Sequence, residues 1–562
     1  MAENSYDLVV LGSGTGGYSA AIRAANLGLK VAVVEKEDRC GGTCLNWGCI
    51  PTKALLHAAE VMDGVHEASE RWGIKATVES IDYSATVANR EDIVTKNVKG
   101  LESHLKKDGI EIVRGRGRVT GPRTVQVEGV GELTAGRALV LATGSQPKSI
   151  PGLEIDGERV ISSDHALKLD YLPKSVIVLG AGAVGVEFAS FWRSMGAEVT
   201  VVEVLPGLVP LEDADSQREL ARAFRKRGIT SMVETKLEDA KVTDEQVTVT
   251  VTDAKGKTSE VSAELLLVAT GRGPVSKDLG YEELGVKLDR GFVVPKSWDT
   301  LETDVEGVYA VGDLLPPPSL ALAHASFAEG FLIAETVAGQ PSPPIDYAGV
   351  PRVTFSTPEV ASVGLTEAQA KEQGQEVVVN KFPFNATAKG LIHGQGGMVK
   401  VVAAKDGPVL YVCAEESREQ VRLRAERLGA LHPGLLLAAE TDLGAVRALV
   451  EQVRPSVVVV DSVQTVADPE LAGAPGGVGQ VREVAAQLVR LAKERSIATF
   501  LVGQVTKEGA VAGPKTLEHL VDVVLNFEGD QHHALRLVRC TKNRFGPAYE
   551  VGCFEMTETG LE

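Results

Sequence analysis

Cys44 and Cys49 stand five residues apart in the run Gly41-Gly42-Thr43-Cys44-Leu45-Asn46-Trp47-Gly48-Cys49-Ile50-Pro51-Thr52-Lys53, and two thiols this close can interconvert with a disulfide. A disulfide needs Cα atoms roughly 4.4 to 6.8 Å apart, whereas residues five apart on a regular helix are separated by about 7.5 Å along the axis alone. Closing the ring therefore requires a distorted first turn, which Gly48 permits. Pro51 has no amide to donate and suits the beginning of a helix, so Cys49 is expected near a helix N-terminus whose dipole favours thiolate. Those are the electronic needs of a redox-active pair. The alternative is two buried structural cysteines, which the position of the pair, directly downstream of a nucleotide-type fold in a chain of six cysteines, makes the weaker choice. Cys40, Cys413, Cys540 and Cys553 have no comparable context and read as buried small hydrophobes.

The elements that must position this pair begin with Tyr6 to Leu11, a short apolar strand running into Gly12-Ser13-Gly14-Thr15-Gly16-Gly17. A helical pattern follows from Tyr18 to Leu27, and a second strand, Lys30 to Val34, ends on Glu35. This is a βαβ unit in which Gly12, Gly14 and Gly17 face a pyrophosphate and the acid faces a ribose hydroxyl. The pattern recurs with strand Ser175 to Leu179, Gly180-Ala181-Gly182-Ala183-Val184-Gly185, a helix through Met195, and strand Glu198 to Val202 before Glu203. Here Gly180, Gly182 and Gly185 take the phosphate-facing places. Further strands stop at glycines in LATG (Thr143, Gly144), LVATG (Gly271) and YAVGD (Gly312, Asp313), which indicates that the second unit, 151–275, is inserted into the first.

The 562 residues suffice for three or four domains of about 100 to 200 residues. With 58 Lys plus Arg against 76 Asp plus Glu the net charge is −18, the wrong sign for a protein dominated by phosphate-backbone contacts, so nucleic acid is an unlikely partner. A content of 44% hydrophobic and 24% charged residues excludes a largely disordered chain. Apolar runs such as Val457 to Val460 fall far short of the roughly 20 residues a membrane helix needs. The first strand starts too soon after Met1 to leave room for a signal peptide, so the expectation is a cytoplasmic protein with no membrane span. No metal site is expected.

The segment GGTCLNWGCIPTK resembles the flavin disulfide reductases, and within them the dihydrolipoamide dehydrogenase family, over about residues 1–405. Supporting motifs are Gly117 in GRGRVTG, Ala142-Thr143-Gly144, Gly271-Arg272 and Gly312-Asp313. The resemblance implies FAD in the first unit, with Glu35, Thr43, Lys53, Gly117, Thr143, Gly144 and Asp313 about it, and NAD in the second, with Glu203 on the ribose. An acid at Glu203 would repel a 2′-phosphate, which favours NAD over NADP. It also implies Cys49 as the sulfur nearer the flavin, Cys44 as the interchange thiol, and Lys53 paired with Glu187 of VGVEFAS. The implied partners are dihydrolipoamide on the acyl carrier of 2-oxoacid dehydrogenase complexes and a second copy of the chain. A mercuric or glutathione reductase would carry a second C-terminal cysteine pair or a basic residue in place of Glu203.

The family completes its site with a histidine and a glutamate from the C-terminal interface domain of the partner subunit. Residues 346–406, including Phe355-Ser356-Thr357-Pro358-Glu359-Val360-Ala361, resemble only the first half of that domain. The pair His432-Pro433 is no replacement, because the next acid, Glu440, lies eight residues on. From about 409 onward, VVVVDSVQT, APGGVGQVREVA, LVGQVTKEGAVAGPKTLEH and TKNRFGP resemble the RadA family of RecA-type DNA-repair ATPases, implying Asp461 as the magnesium-facing acid, Glu415 as the base, and Lys542 with Arg544 toward nucleotide or DNA. The phosphate loop GxxxxGK[ST] occurs nowhere in the chain. The expected class is therefore α/β: an FAD domain (1–150 and 276–345), an inserted NAD domain (151–275), both Rossmann-like, a truncated interface domain (346–406), and a partial RecA-like tail (407–562) with an exposed sheet edge. A DNA-repair module anchored on a flavoprotein is the competing reading.

Overall fold

The computed structural model describes residues 4–394, 396–405, 407–471, 473–504, 517–529, 535–544, 551–557 and 560–561. The chain forms two units, residues 1–373 with 379–402 and residues 374–378 with 403–562.

In the first unit, strand β1 (Ser5–Leu11) leads into helix α1 (Thr15–Asn26) and returns as strand β2 (Val31–Glu35), the two strands pairing in parallel from Leu8↔Val31 to Leu11↔Val34. Leu8, Val9 and Val10 are fully buried, as a central parallel strand covered on both faces requires. Helix α1 begins three residues before the sequence pattern indicated. Its first turn holds Gly16 and Gly17, whose low helix propensity hides it. Two helices follow β2, the short α2 (Gly42–Asn46) and the long α3 (Cys49–Arg71). Strand 131–141 pairs with β1 on its other side, and strand 308–310 pairs with 131–141, so the chain returns to this sheet after residue 300.

Between those two strands the chain builds a separate parallel sheet. Its strand β3 (Ser175–Leu179) is followed by helix α4 (Ala183–Ser194) and strand β4 (Glu198–Val202), and strand 265–268 lies along the other edge of β3. Trp192, Phe191 and Phe224 fill the core on one face of this sheet. Helix α5 (Ala214–Lys226) and helix α6 (Ala323–Val337) follow, and α6 packs on α1 with Tyr18 edge-on to Phe327 at 5.4 Å. Past α6 lies the short strand β5 (Arg352–Thr354).

In the second unit four parallel strands stand in the order 435–438, 409–413, 457–461, 498–502, with Val412, Val446, Val460, Val481 and Val484 fully buried against helices 418–427, 443–453 and 478–495. Among the described residues strand 498–502 ends the sheet, with Phe500 59% exposed. Helix 443–453 and a four-stranded antiparallel sheet spanning 523–561 were not expected from the sequence. Cys40, Cys413 and Cys540 are buried as expected, but Cys553 is exposed, because it lies on strand 551–557 at an open part of that second sheet. The 505–516 part of the tail motif and Phe545-Gly546-Pro547 of TKNRFGP lie outside the described residues. Among the described residues no helix is long and apolar enough to cross a membrane.

Candidate active site

Both glycine turns have the same construction. Gly12 and Gly180 have φ of 108° and 103°, and a Cβ on them would come within 2.3 Å of Ala142 O and 2.4 Å of Ala269 O. Only glycine is free of strain there. A Cβ on Gly17 or Gly185 would lie 2.0 Å from the carbonyl of Gly12 or Gly180, so these residues let each helix close on its strand. Gly14 and Gly182 differ from these, because each has extended backbone and a Cβ there would meet nothing within 4 Å. Both are N-caps without a side-chain cap, leaving the first amides of α1 and α4 without a side-chain acceptor. Clear space before bare amides at a positive helix end fits a pyrophosphate.

The acids are placed alike. Buried Glu35 accepts from Ser13 N at 3.0 Å, Ser13 Oγ at 2.5 Å and Glu37 N at 2.9 Å. Buried Glu203 accepts from Ala181 N at 2.7 Å and Leu205 N at 2.8 Å. Each carboxylate thus sits at the mouth of its own glycine turn, and both mouths fit a dinucleotide.

The remaining candidates lie outside the two glycine turns. Thr143 Oγ1 donates to Val275 O at 2.6 Å and shares a 3.0 Å bond with Tyr281 Oη, while Gly144, at φ 69°, accepts from Val275 N. Gly117 packs in the core, where a Cβ would lie 2.5 Å from Leu11 Cδ1. Gly271, at φ 114°, passes Lys148. Ser145 Oγ donates to Asp313 Oδ2 at 2.5 Å and accepts from Arg272 Nε at 2.8 Å, and Arg272 Nη2 reaches Thr43 Oγ1 at 3.3 Å. Buried Glu329 of α6 accepts from Gly312 N at 2.7 Å, and burial pushes its carboxyl above the usual range. Arg272, Ser145 and Glu329 carry no spacing signal. Arg272 belongs to the Gly271-Arg272 motif and Ser145 follows Ala142-Thr143-Gly144, hints that assign them no role.

The dithiol lies across the break between two helices. Cys44 belongs to α2, Trp47 ends that helix, and Cys49 is the first residue of α3 with Gly48 as N-cap, the broken turn the spacing demands. Gly41 N donates to Ser13 O at 3.0 Å, and a Cβ on Gly42 would lie 2.6 Å from Gly14 Cα, so the redox loop is seated on the first glycine turn. Asn46 clamps the loop by donating to Cys40 O and Gly42 O at 3.0 and 3.1 Å. Both sulfurs are half-buried free thiols. A hydrogen bond from the Cys44 thiol holds Cys49 down at about 7, against the upward push of burial and with help from the Lys53 ammonium. The same bond, with burial, pushes Cys44 up.

Lys53, one turn past Cys49, places Nζ 2.9 Å from both carboxylate oxygens of Glu187 on α4, a residue 134 positions away. Here the two nucleotide units meet. Phe355, just past β5, donates its amide to Glu187 Oε1 at 2.9 Å and lays its ring 4.4 Å from the Lys53 ammonium. Nothing in the local sequence points to Phe355 as part of the site.

In the second unit Asp461 accepts from Tyr411 Oη at 2.5 Å, Glu415 accepts from Gln504 Nε2 at 2.7 Å and from Ser462 Oγ, and Lys542 donates to the carbonyls of Glu518 and Val521. Arg544 pairs with Asp522 at 2.7 Å. His432 lies in a loop, accepting from Gly434 N at 3.0 Å.

The pyridine nucleotide-disulphide oxidoreductase family matches residues 6–330, and the dimerisation domain of the same enzymes matches residues 350–413. The chain is 41% identical to a dihydrolipoyl dehydrogenase of Rhizobium etli over 425 residues, covering 72% of this chain and 87% of that one. It is 40% identical to the dihydrolipoyl dehydrogenase of Bacillus subtilis over 415 residues, covering 71% and 86%. Among solved structures it is similar to LpdA of Mycobacterium tuberculosis, with a TM-score of 0.64 at 25% identity over 71% of this chain and 87% of that one. The HOCl-induced flavoprotein disulfide reductase RclA of Escherichia coli gives a TM-score of 0.62 at 26% identity over 71% and 87%. The paired glycine turns, the split dithiol and these matches together show that the chain belongs to the pyridine nucleotide-disulphide oxidoreductases, enzymes that work with FAD and NAD.

Proposed function

We propose that the chain oxidises dihydrolipoamide with NAD⁺ through the Cys44–Cys49 pair. The substrate dithiol gives two electrons to the enzyme disulfide, closing to lipoamide and leaving Cys44 and Cys49 reduced; NAD⁺ then takes up the two electrons and a proton to become NADH. Bound FAD and NAD supply the two-electron relay between sulfur and nicotinamide. Gly12, Gly14, Gly17, Glu35, Thr43, Lys53, Gly117, Thr143, Gly144 and Asp313 are assigned to FAD. Gly180, Gly182, Gly185, Glu203 and Gly271 are assigned to NAD, with the Glu203 carboxylate disfavouring a 2′-phosphate. Cys44, kept protonated by its bond to Cys49, exchanges with the substrate sulfur; Cys49, held as thiolate beside Lys53, is the flavin-side sulfur. The observation that carries this reading is Cys49 at a helix N-terminus, one turn from the Lys53–Glu187 pair.

In the same reading the enzyme is cytoplasmic, dimerises through residues 346–406, and serves the acyl carriers of 2-oxoacid dehydrogenase complexes. The dimerisation domain is cut short, leaving the chain without the His/Glu base that relatives supply across their interface. Support for this comes from the match to the dimerisation domain, which covers residues 350–413, and from the 87% and 86% of two relatives' length that the chain covers. Residues 407–562 form a RecA-like remnant without a phosphate loop.

Steady-state assays with dihydrolipoamide and NAD⁺ test the reading. Loss of a general base costs roughly 10² to 10⁴-fold, so turnover should sit that far below reduction of the flavin by NADH. No lipoamide formed at all, with the flavin in place, would reject the substrate assignment.

A further inference from the structure

The ion pair beside the dithiol is closed on its third side by a residue from the strand that enters the dimerisation domain. Lys53 and Glu187 face each other, with the acid's side chain only 9% exposed. The Phe355 ring covers that ammonium at 4.4 Å, and the Phe355 amide occupies one oxygen of the acid. The ring is 40% exposed in the single chain. Its backbone is pinned. Thr357 N donates to Ser190 Oγ at 2.8 Å, one turn past Glu187 on α4; Arg227 Nη1 donates to both Thr357 O and Ser190 Oγ; and Arg352 of β5 pairs with Glu212 at 3.4 Å.

We propose that Phe355 is a positioning residue for the redox pair: its ring and amide together hold Lys53 and Glu187 in register beside Cys49, so the entry strand of the dimerisation domain sets the charge at the flavin-side sulfur. The proposal rests on the reading of Cys44 and Cys49 as the reacting pair. An aromatic face attracts an ammonium within about 6 Å, most strongly where water is excluded. Without the ring, Lys53 regains water and its field at Cys49 is screened. The titratable groups that face Cys49 are Cys44 of α2, Lys53 of its own helix and Glu187 of α4, with Tyr18 of α1 behind, its hydroxyl pushed up to about 12 by burial and by the two thiols. Phe355 changes none of these identities. It acts through Lys53.

The test is the pH profile of Cys49 alkylation by iodoacetamide, followed by mass on the peptide carrying Cys49, in flavin-loaded protein reduced with a phosphine. No NADH is used, so an enzyme that failed to oxidise dihydrolipoamide would still report on this proposal. The wild-type midpoint is expected near 7. F355L should raise it by about half a pH unit or more. F355Y, which restores an aromatic face, should return it to the wild-type value, and in a K53M background F355L should have no further effect. An F355L midpoint equal to wild type, equal shifts in F355L and F355Y, or a shift that survives in K53M would each overturn the proposal. F355M provides a second aliphatic replacement should F355L fail to keep its flavin.

Discussion

Glu203 and Asp461 both stand at the carboxyl end of a parallel strand, but the helices that start beside them are capped differently. Past β3, the strand paired with β4, helix α4 begins at Gly182 with its amides free of any side-chain cap and clear space in front of them. Past strand 409–413, the strand paired with 457–461, helix 418–427 begins at Ser417, where a reciprocal capping box with Gln420 satisfies the same amides. Helix 443–453 is likewise capped, by Asp442, and helix 478–495 starts well beyond its strand. Asp461 accepts from Tyr411, and Glu415 from Ser462 and Gln504. Gly182 leaves the amides beside Glu203 without a side-chain cap, whereas Ser417 and Asp442 cap two of the helices in the second unit.

Gly14→Val breaks this comparison most severely. The backbone at φ −66° accepts a side chain and a Cβ meets no protein atom, so the protein should fold; the side chain would fill the space before α1. Purified G14V should be colourless with unaltered far-ultraviolet circular dichroism. Gly182→Val has the same geometry in the second unit and should keep flavin while its reduction by NADH slows by about 10²-fold or more, the loss expected when a few charge-assisted hydrogen bonds of roughly 1.5 to 3 kcal/mol each are displaced. Stopped-flow flavin absorbance with NADH reads this. G182V behaving as G14V would erase the division of labour between the two units. Asp461→Ala should change least: neither parent nor variant should hydrolyse ATP, and DNA binding should stay weak and salt-sensitive in both. ATPase activity in the parent that D461A abolishes would restore the second unit as a nucleotide site.

Much of the first unit is legible in the sequence, because its signals are local. A strand, a glycine turn, a helix and a terminal acid fall within about 30 residues, the length of one βαβ unit, so Glu35 and Glu203 could be placed from spacing alone. The broken turn at Gly48 followed from the reach of a disulfide. Lys53 with Glu187 needed a family resemblance, since no local pattern links residues 134 apart. Phe355 and Arg272 escaped because their contacts form only when distant segments cross, and an aromatic before a Ser-Thr-Pro turn reads as an ordinary strand end. In the second unit Val523, Leu525 and Phe527 alternate as a strand should, but that face is exposed, so no pattern of burial marked it.

In the proposed reaction Cys44 and Cys49 exchange two electrons with the pyridine nucleotide through bound flavin, and NADH drives that exchange in reverse. Anaerobic titration of the oxidised flavoprotein with NADH, with thiols counted by mass after alkylation, tests it most directly. Two new thiols per chain, at Cys44 and Cys49, are expected for the first NADH consumed, and none should appear at Cys40, Cys413, Cys540 or Cys553. Flavin reduced by NADH while Cys44 and Cys49 stay disulfide-bonded would overturn their assignment as the redox pair.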